Sequence, residues 1–238
     1  MAEGGEDVPF VRALLDTGID GYKPKFTNLI VFIKNTDGTV IWKDKYQTSE
    51  SHVHAEIQML IDKEFKDKVE KGKADKTEKV DIILTSNYSP CWECALELKK
   101  FYKGKKHLIR KFTIRFSRLY KREEYDNEIC LRDLKSKGIT LEAMTEESWF
   151  DVLMIQKPRF DSMKNAKYSF EEMMNEDDWF DKVMEHFYLD PVKVKKRDVD
   201  TRKKLEKLLR QVSSESSDSE AERLANDLKN LKVEGGSD

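Results

Sequence analysis

The order of hydrophobic and polar residues predicts a chain of mixed strands and helices, as in α/β proteins. Apolar runs and alternations typical of strands are found at residues 26–34, 39–46, 80–85, 110–120 and 139–144. Helices are predicted at residues 8–16 and 54–65, in a segment that begins at Pro90, and at residues 125–137, 147–155 and 169–188. These elements are enough for one substantial domain with a sheet at its centre.

The connections between the predicted strands indicate how that sheet is arranged. Residues 35–38 (NTDG) form a turn between the first two strands, which predicts a hairpin. A helix lies between the last two strands, and a crossover helix lets the strands that it joins run parallel. A lysine-rich linker at residues 66–79 follows the second helix. We therefore predict a five-stranded mixed sheet flanked by helices, with the last two strands parallel.

The composition changes after residue 190. Residues 193–204 are basic, and residues 213–222 (SSESSDSEAE) are acidic and rich in serine, which is typical of a flexible segment. We predict a domain at residues 8–190 and a charged, partly flexible tail at residues 191–238. Within the tail, residues 201–212 and 221–231 could form helices. The basic run at residues 193–197 (KVKKR) is interpreted as a solvated stretch, with nuclear import as the alternative.

Composition also bears on the compartment in which the protein is expected. The 238 residues are 38% apolar and 38% charged, with a formal net charge of −2. Two of the three cysteines share one short motif, so no pair remains for a disulfide framework and a reducing interior is expected. The first residues lack the pattern of a signal peptide, and no apolar run approaches the roughly 18 residues that a membrane span needs. We expect a soluble protein of the cytoplasm, the nucleus or both.

Two short segments carry the residue types of a metal-dependent active site. His54 and Glu56 lie in the first turn of the second predicted helix. Cys91 and Cys94 lie three residues apart in the next helix, so both sulfurs can face one metal ion. Pro90 suits the first position of that helix, and the positive end of a helix favours the thiolates that bind zinc. Three ligands leave a fourth position open for water, which is typical of catalytic zinc sites.

We predict that the histidine and the two cysteines bind Zn²⁺ and that Glu56 transfers protons. It would take a proton from the attacking water, and give protons to the ring nitrogen and the leaving ammonia. The order H-x-E…P-C-x-x-C is the signature of zinc nucleobase deaminases. The alternatives are a chance C-x-x-C pair or a closed structural zinc site, which needs a fourth ligand such as Cys130 or His52.

A strongly basic block follows the cysteine motif. Between residues 99 and 122 there are eleven basic residues and no acidic one, with five aromatic residues interleaved. Basic side chains for phosphates and rings for bases are expected of proteins that bind single strands. We predict contact with single-stranded DNA or RNA at this block. The alternative is a solvated lysine-rich helix end beside an ordinary strand.

The motifs and the expected strand order resemble the AID/APOBEC family of polynucleotide cytidine deaminases, over roughly residues 20–190. The matching residues are His54, Glu56, Ser89-Pro90-Cys91, Cys94 and Arg118-Leu119-Tyr120. The resemblance implies an α/β, cytidine-deaminase-like, three-layer fold. It also implies hydrolytic deamination of cytosine to uracil in single-stranded polynucleotide, DNA in the first place and RNA as the other option. Zn²⁺ would be the cofactor, without any organic group.

The resemblance also assigns residues to the base pocket. Tyr88 stands where the family usually has Trp in an S-W-S-P-C motif, and it would line the pocket. Ser89 would contact the cytosine edge, and the ring of Tyr120 would pack against the flipped base. From the residues alone, an exposed tyrosine ring can stack on any base, while the alternative for Tyr120 is a core position at a strand end.

The loop after the fourth strand supplies the remaining substrate residues that the resemblance implies. Lys121 and Arg122 occupy the positions that choose the 5′ neighbour of the cytosine. Arg118, at the end of the strand, belongs to the same substrate-binding group.

Three other functions share parts of these motifs. A deaminase of free nucleosides or nucleotides has the same zinc chemistry but does not need a long basic strand and loop. A tRNA adenosine deaminase shares both motifs and would differ only in its pocket. A non-enzymatic nucleic-acid-binding protein would keep zinc for stability, but it has no use for the carboxylate of Glu56. The oligomeric state is not indicated by the sequence.

Overall fold

The computed structural model describes residues 7–48, 53–71, 79–121, 125–154, 174, 177–186 and 189–210. The strands in this part of the chain are β1 (Asn28–Lys34), β2 (Val40–Gln47), β3 (Val80–Tyr88), β4 (Ile109–Arg118) and β5 (Thr140–Ala143). The helices are α1 (Asp7–Asp16), α2 (Ala55–Ile61), α3 (Lys63–Lys71), α4 (Trp92–Lys105), α5 (Tyr125–Ser136), α6 (Glu146–Leu153), α7 (Trp179–His186) and α8 (Pro191–Arg210). A 3₁₀ turn, Ile19–Gly21, follows α1.

The strands form one mixed sheet in the order β2-β1-β3-β4-β5. β1 pairs antiparallel with β2 and with β3. The pairs β3–β4 and β4–β5 are both parallel, because α4 and α5 cross over between them. The predicted five-stranded mixed sheet with parallel last strands is confirmed. The carboxyl ends of β3 and β4 therefore meet at one edge, where ligands bind in open α/β sheets.

Helices cover both faces of the sheet, which confirms the three-layer architecture. In β1, Leu29, Val31 and Ile33 are buried against α2, α3, α4 and α5. Ile30 and Phe32 are buried on the opposite face, against α1, α6 and α7. Burial of both faces explains why β1 is an almost continuous apolar run rather than an alternating one.

The predicted helix at residues 54–65 is wrong in extent, since it is interrupted at Asp62. This residue is extended (φ −61°, ψ 129°) and ends α2. Its Oδ1 accepts a hydrogen bond from the Glu64 N–H at 2.7 Å, and its Oδ2 accepts one from the Tyr46 hydroxyl at 2.5 Å. These bonds start a new helix, α3, which occupies the first part of the predicted 66–79 linker. Ile61, expected on the apolar face, is 65% exposed.

The described part of the predicted tail, residues 191–210, is a 20-residue helix that packs on the rest of the fold. Val194 is buried in the layer that contains α1, while Leu205 and Leu208 are buried in the layer that contains α5. The helix begins at Pro191 rather than at residue 201. Three of its six buried residues, Arg197, Asp198 and Thr201, are polar, so hydropathy alone does not reveal the buried face.

Several predictions lie outside the described residues. These are most of the 169–188 helix before α7, the helix at 221–231, His52 and Arg122. Among the helices that the structure describes, none is long and apolar enough to cross a membrane.

Candidate active site

His54, Cys91 and Cys94 come together at the sheet edge where β3 ends. The Nδ1 atom of His54 lies 3.1 Å from the Sγ of Cys94 and 3.3 Å from the Sγ of Cys91. Tetrahedral Zn²⁺ with ligands at about 2.1 and 2.3 Å would separate nitrogen and sulfur by about 3.6 Å. Imidazole and thiolate donors are also those that zinc prefers. The three side chains therefore fit a zinc ion in both spacing and donor type.

Two of these three residues lie at the N-termini of helices. His54 is the N-cap of α2, and Cys91 is the N-cap of α4, with extended backbone angles at both. Pro90 therefore precedes the cap instead of taking the first helical position, so that prediction is wrong. The reason lies in the Trp92 N–H, the first free donor of α4, which donates to the Oδ1 of Asn127 at 2.9 Å. Cys94 follows in the first turn of α4 and is buried.

Glu56 lies beside this group in the first turn of α2. Its Oε2 is 3.5 Å from the Sγ of Cys94, and the residue is only 4% exposed. Burial raises the pKa of the Glu56 carboxyl, against the opposing effects of hydrogen bonds and of His54. A raised pKa favours a carboxyl that donates as well as accepts protons. The site thus combines three metal-binding side chains with one proton-transfer group.

The two cysteine thiols affect each other's pKa. The hydrogen bond from Cys94 lowers the pKa of the Cys91 thiol to about 6, and donating that bond raises the pKa of Cys94. Cys130, considered as a fourth ligand, is not part of the candidate metal group within the described residues. Burial raises the pKa of its thiol to about 12, which disfavours the thiolate that a metal would need.

Two tyrosine rings lie at the ends of β3 and β4, next to the cysteine motif. The ring centroids of Tyr88 and Tyr120 are 5.7 Å apart in an edge-to-face arrangement, and both residues are half-buried. Ser89 holds the second ring in place, because its Oγ accepts a hydrogen bond from the Tyr120 N–H at 2.9 Å. The Ser89 N–H donates to the Arg118 carbonyl, also at 2.9 Å. Tyr120 is therefore not a core residue, and its ring borders open space beside the motif.

Comparison with known proteins gives the family. Residues 10–168 match the family described as Invertebrate-AID/APOBEC-deaminase. The chain belongs to the AID/APOBEC deaminases. It is 30% identical to the DNA dC->dU-editing enzyme APOBEC-3H of Felis catus over 149 residues, which cover 60% of this chain and 72% of the cat protein. It is 34% identical to the C->U-editing enzyme APOBEC-1 of Mesocricetus auratus over 68 residues, 29% of each chain.

In this AID/APOBEC deaminase, much of the basic block between residues 99 and 122 is engaged with acidic side chains. At least six of its cations form ion pairs: Lys99, Lys100, Lys105, Arg110, Lys111 and Arg115. Arg110, for example, places Nε 2.8 Å and Nη2 2.6 Å from the two oxygens of Asp81. Contact between this block and single-stranded nucleic acid stays a prediction. Its carboxyl-terminal end, Arg118 and Lys121, lies beside the tyrosine rings.

Sequence reasoning missed Asn127, which joins the cysteine helix to the loop after β4. Its side chain is buried, and besides accepting from Trp92 it donates to the Lys121 carbonyl at 3.3 Å. Lys121 has a positive φ of 35°, an uncommon backbone conformation for lysine. In the sequence, Asn127 is an amide residue within the predicted 125–137 helix. An asparagine at such a position does not by itself indicate a role. The amide fixes the loop relative to the first turn of α4.

Proposed function

We propose that this protein deaminates cytosine to uracil in single-stranded polynucleotide. His54, Cys91 and Cys94 would hold Zn²⁺, and Glu56 would be the catalytic proton-transfer residue. The observation that carries the proposal is a buried carboxyl 3.5 Å from one of the thiols, beside a group with three metal-binding side chains. Such a carboxyl has no role in a closed structural zinc site.

The chemistry can be assigned to residues of this chain. When bound, Zn²⁺ supplies a Lewis acid that lowers the pKa of water to about 7. Glu56 would accept the proton of the water that adds at C4 of the ring, and pass it to the ring nitrogen N3. It would then transfer a second proton to the exocyclic amine, which leaves as ammonia when the C4–N bond breaks. Raising the pKa of Glu56 by burial suits a group that alternates between base and acid.

The tyrosine rings support a base as the substrate. An exposed ring contributes about 1–3 kcal/mol when a base stacks on it. Tyr88 is the last residue of β3, and Tyr120 lies two residues after the end of β4. We propose that Tyr88 performs in this chain the role that Trp has elsewhere in the family. Ser89 would position Tyr120 through its Oγ, and can donate its hydroxyl proton to the cytosine. DNA is the favoured polymer, because the longer match is to an enzyme named for DNA editing.

The test compares wild-type protein with Glu56→Gln on a cytosine-containing DNA oligonucleotide, the matching RNA and free cytidine. Glu93→Gln is the matched control, since Glu93 lies in the first turn of α4, next to Cys94, but is exposed. We expect uracil in DNA from the wild type and the control. We expect a loss of at least about 100-fold in Glu56→Gln, while zinc measured by elemental analysis stays near one per chain.

Three outcomes would contradict the proposal in different ways. Turnover of cytidine without turnover of either oligonucleotide would make this a nucleoside deaminase. Full activity in Glu56→Gln would show that Glu56 does not transfer the protons. Protein that retains zinc after Cys91→Ser and Cys94→Ser replacement would show that the metal is held elsewhere.

A further inference from the structure

Hydrogen bonds on both sides of the first cysteine of the motif join it to the loop that follows β4. On the amino-terminal side, the Oγ of Ser89 accepts a hydrogen bond from the Tyr120 N–H at 2.9 Å. On the carboxyl-terminal side, the Trp92 N–H donates to the Oδ1 of Asn127 at 2.9 Å. The Nδ2 of the same amide donates to the Lys121 carbonyl at 3.3 Å. The first candidate metal ligand and the loop that carries the tyrosine ring therefore belong to one hydrogen-bonded unit.

Asn127 suits this place because its side chain accepts and donates at the same time. It is the third residue of α5 and is only 1% exposed. An amide offers a carbonyl oxygen to the Trp92 N–H and an N–H group to the Lys121 carbonyl. An ionised aspartate has nearly the same size but can only accept. The link between the start of α4 and the loop after β4 therefore depends on the amide nitrogen.

The loop is held at a residue with an unfavourable backbone conformation. Lys121 has a φ of 35°, in the left-handed region that side chains other than glycine rarely adopt. Such a conformation persists where the surrounding structure restrains it, and the bond from Asn127 to the Lys121 carbonyl is one such restraint. The ammonium of Lys121 lies 5.6 Å from the centroid of the Tyr120 ring. If the restraint is removed and the turn relaxes, the lysine and the ring move relative to the cysteine motif.

We propose that Asn127 is a positioning residue of the base pocket. It fixes Tyr120 and Lys121 relative to the cysteine motif, and thereby determines how strictly the nucleotide next to the cytosine is selected. This inference rests on the proposed function, in which Tyr120 stacks on the target base. The ammonium of Lys121 lies over that ring, so this lysine is close to the nucleotide that adjoins the stacked base. Because Asn127 is buried, it acts through these two residues rather than by touching the substrate.

The test measures kcat/KM of full-length protein on DNA oligonucleotides that differ only in the base 5′ to the cytosine. Asn127→Asp is assayed at about pH 8, above the usual pKa of a carboxyl group, so that it keeps an acceptor for the Trp92 N–H and lacks the donor. Asp133→Asn is the matched control, since Asp133 is also a buried residue of α5 but pairs with Lys99 rather than with the loop. Thermal unfolding and elemental analysis for zinc check that each variant is folded and loaded.

We expect Asn127→Asp to lower kcat/KM on the best substrate about tenfold, because the ring is no longer held in place. The ratio between the best and the worst substrate should fall about threefold to tenfold, the factor that corresponds to one ordinary hydrogen bond. Asp133→Asn should lower the thermal midpoint but keep the ratio, since a smaller folded fraction reduces the turnover of every substrate by the same factor. An unchanged ratio in Asn127→Asp, or a wild type that treats all neighbouring bases alike, would overturn the inference.

Binding of the same oligonucleotides to Glu56→Gln protein, measured by fluorescence anisotropy, separates this inference from the proposed function. Turnover by the wild type with an unchanged ratio in Asn127→Asp overturns the positioning role and leaves the function standing. If the wild type turns over no polynucleotide, but adding Asn127→Asp removes the differences in affinity among the oligonucleotides, the function is overturned and the positioning role holds for binding. If neither turnover nor a change in affinity is observed, both are overturned.

Discussion

Replacing Asp198 with alanine is expected to destabilise the fold strongly, because this residue anchors α8. Asp198 and Arg197 are only 5% and 8% exposed. The carboxylate accepts hydrogen bonds from the Trp149 Nε1–H at 2.7 Å and from the Arg197 Nε–H at 2.8 Å. The guanidinium also donates to the carbonyls of Leu15 and Thr17 at the end of α1. One ion pair therefore joins α8, α6 and α1.

The size of the stability loss depends on which groups lose their partners when Asp198 is replaced. Burial raises the pKa of Asp198 and lowers the pKa of Arg197, so desolvation opposes both charges, and each depends on the other. Removing one partner of a buried pair leaves an uncompensated charge and costs about 3–5 kcal/mol. The indole N–H of Trp149 loses its acceptor at the same time. A loss of about 4 kcal/mol is a large share of the roughly 5–15 kcal/mol that stabilises a typical domain.

Urea unfolding followed by circular dichroism measures this loss. With an m value of about 2–3 kcal/mol/M, the midpoint should fall by about 1–2 M. Asp200→Ala is the control, since Asp200 lies on the same helix, is half-buried and forms no ion pair with the described residues. It should cost less than about 1 kcal/mol. The double variant Arg197→Met, Asp198→Leu should recover only part of the loss, because no unpaired charge remains but the Trp149 N–H and the Leu15 and Thr17 carbonyls still lack partners. A cost below about 1 kcal/mol for Asp198→Ala would refute this reasoning.

Three further substitutions test how the backbone is held in the turn after α1 and in the loop after β4. Asn127→Ala should lower the free energy of unfolding by about 1–3 kcal/mol, since it removes the side-chain partner of two backbone groups; an unchanged thermal midpoint would contradict this. Gly18→Ala and Gly21→Ala should each cost about 1 kcal/mol in stability, because both glycines have a φ near +80°. A Cβ meets the Arg118 side chain only at Gly18, with nothing within 4 Å at Gly21. Oligonucleotide affinity should therefore fall in Gly18→Ala alone, and equal affinity in the two variants would argue against Arg118 as a substrate-binding residue.

The five-stranded mixed sheet and the parallel direction of its last two strands could be predicted from the sequence because they depend on local patterns. Apolar runs mark the strands, a four-residue turn joins the first two, and helical segments lie between the parallel ones. The interruption at Asp62 was not predicted, because the spacing of Ile57, Leu60 and Phe65 continues across it. Its cause is a pair of hydrogen bonds, one of them to Tyr46 in β2. A contact between distant segments overrode the local periodicity.

The burial of α8 also depends on contacts with distant segments that its own sequence does not reveal. Its buried stripe follows helical spacing, but the positions in its middle are Arg197, Asp198 and Thr201, whose partners are carbonyls and an indole on other elements. Composition therefore suggested a flexible, basic tail. A polar stripe can be buried only where the fold supplies those partners, and no pattern within residues 191–210 contains that information.

Ion pairing limits how many cations of a basic segment are available for phosphate contacts. The basic block between residues 99 and 122 has the expected composition, yet at least six of its cations form ion pairs, five of them with acids from other segments such as Asp81 and Glu142. A cation already held by a carboxylate must break that pair before it can contribute to phosphate binding. Neutralising Arg110 should therefore affect stability, measured by urea unfolding, more than the salt dependence of oligonucleotide binding.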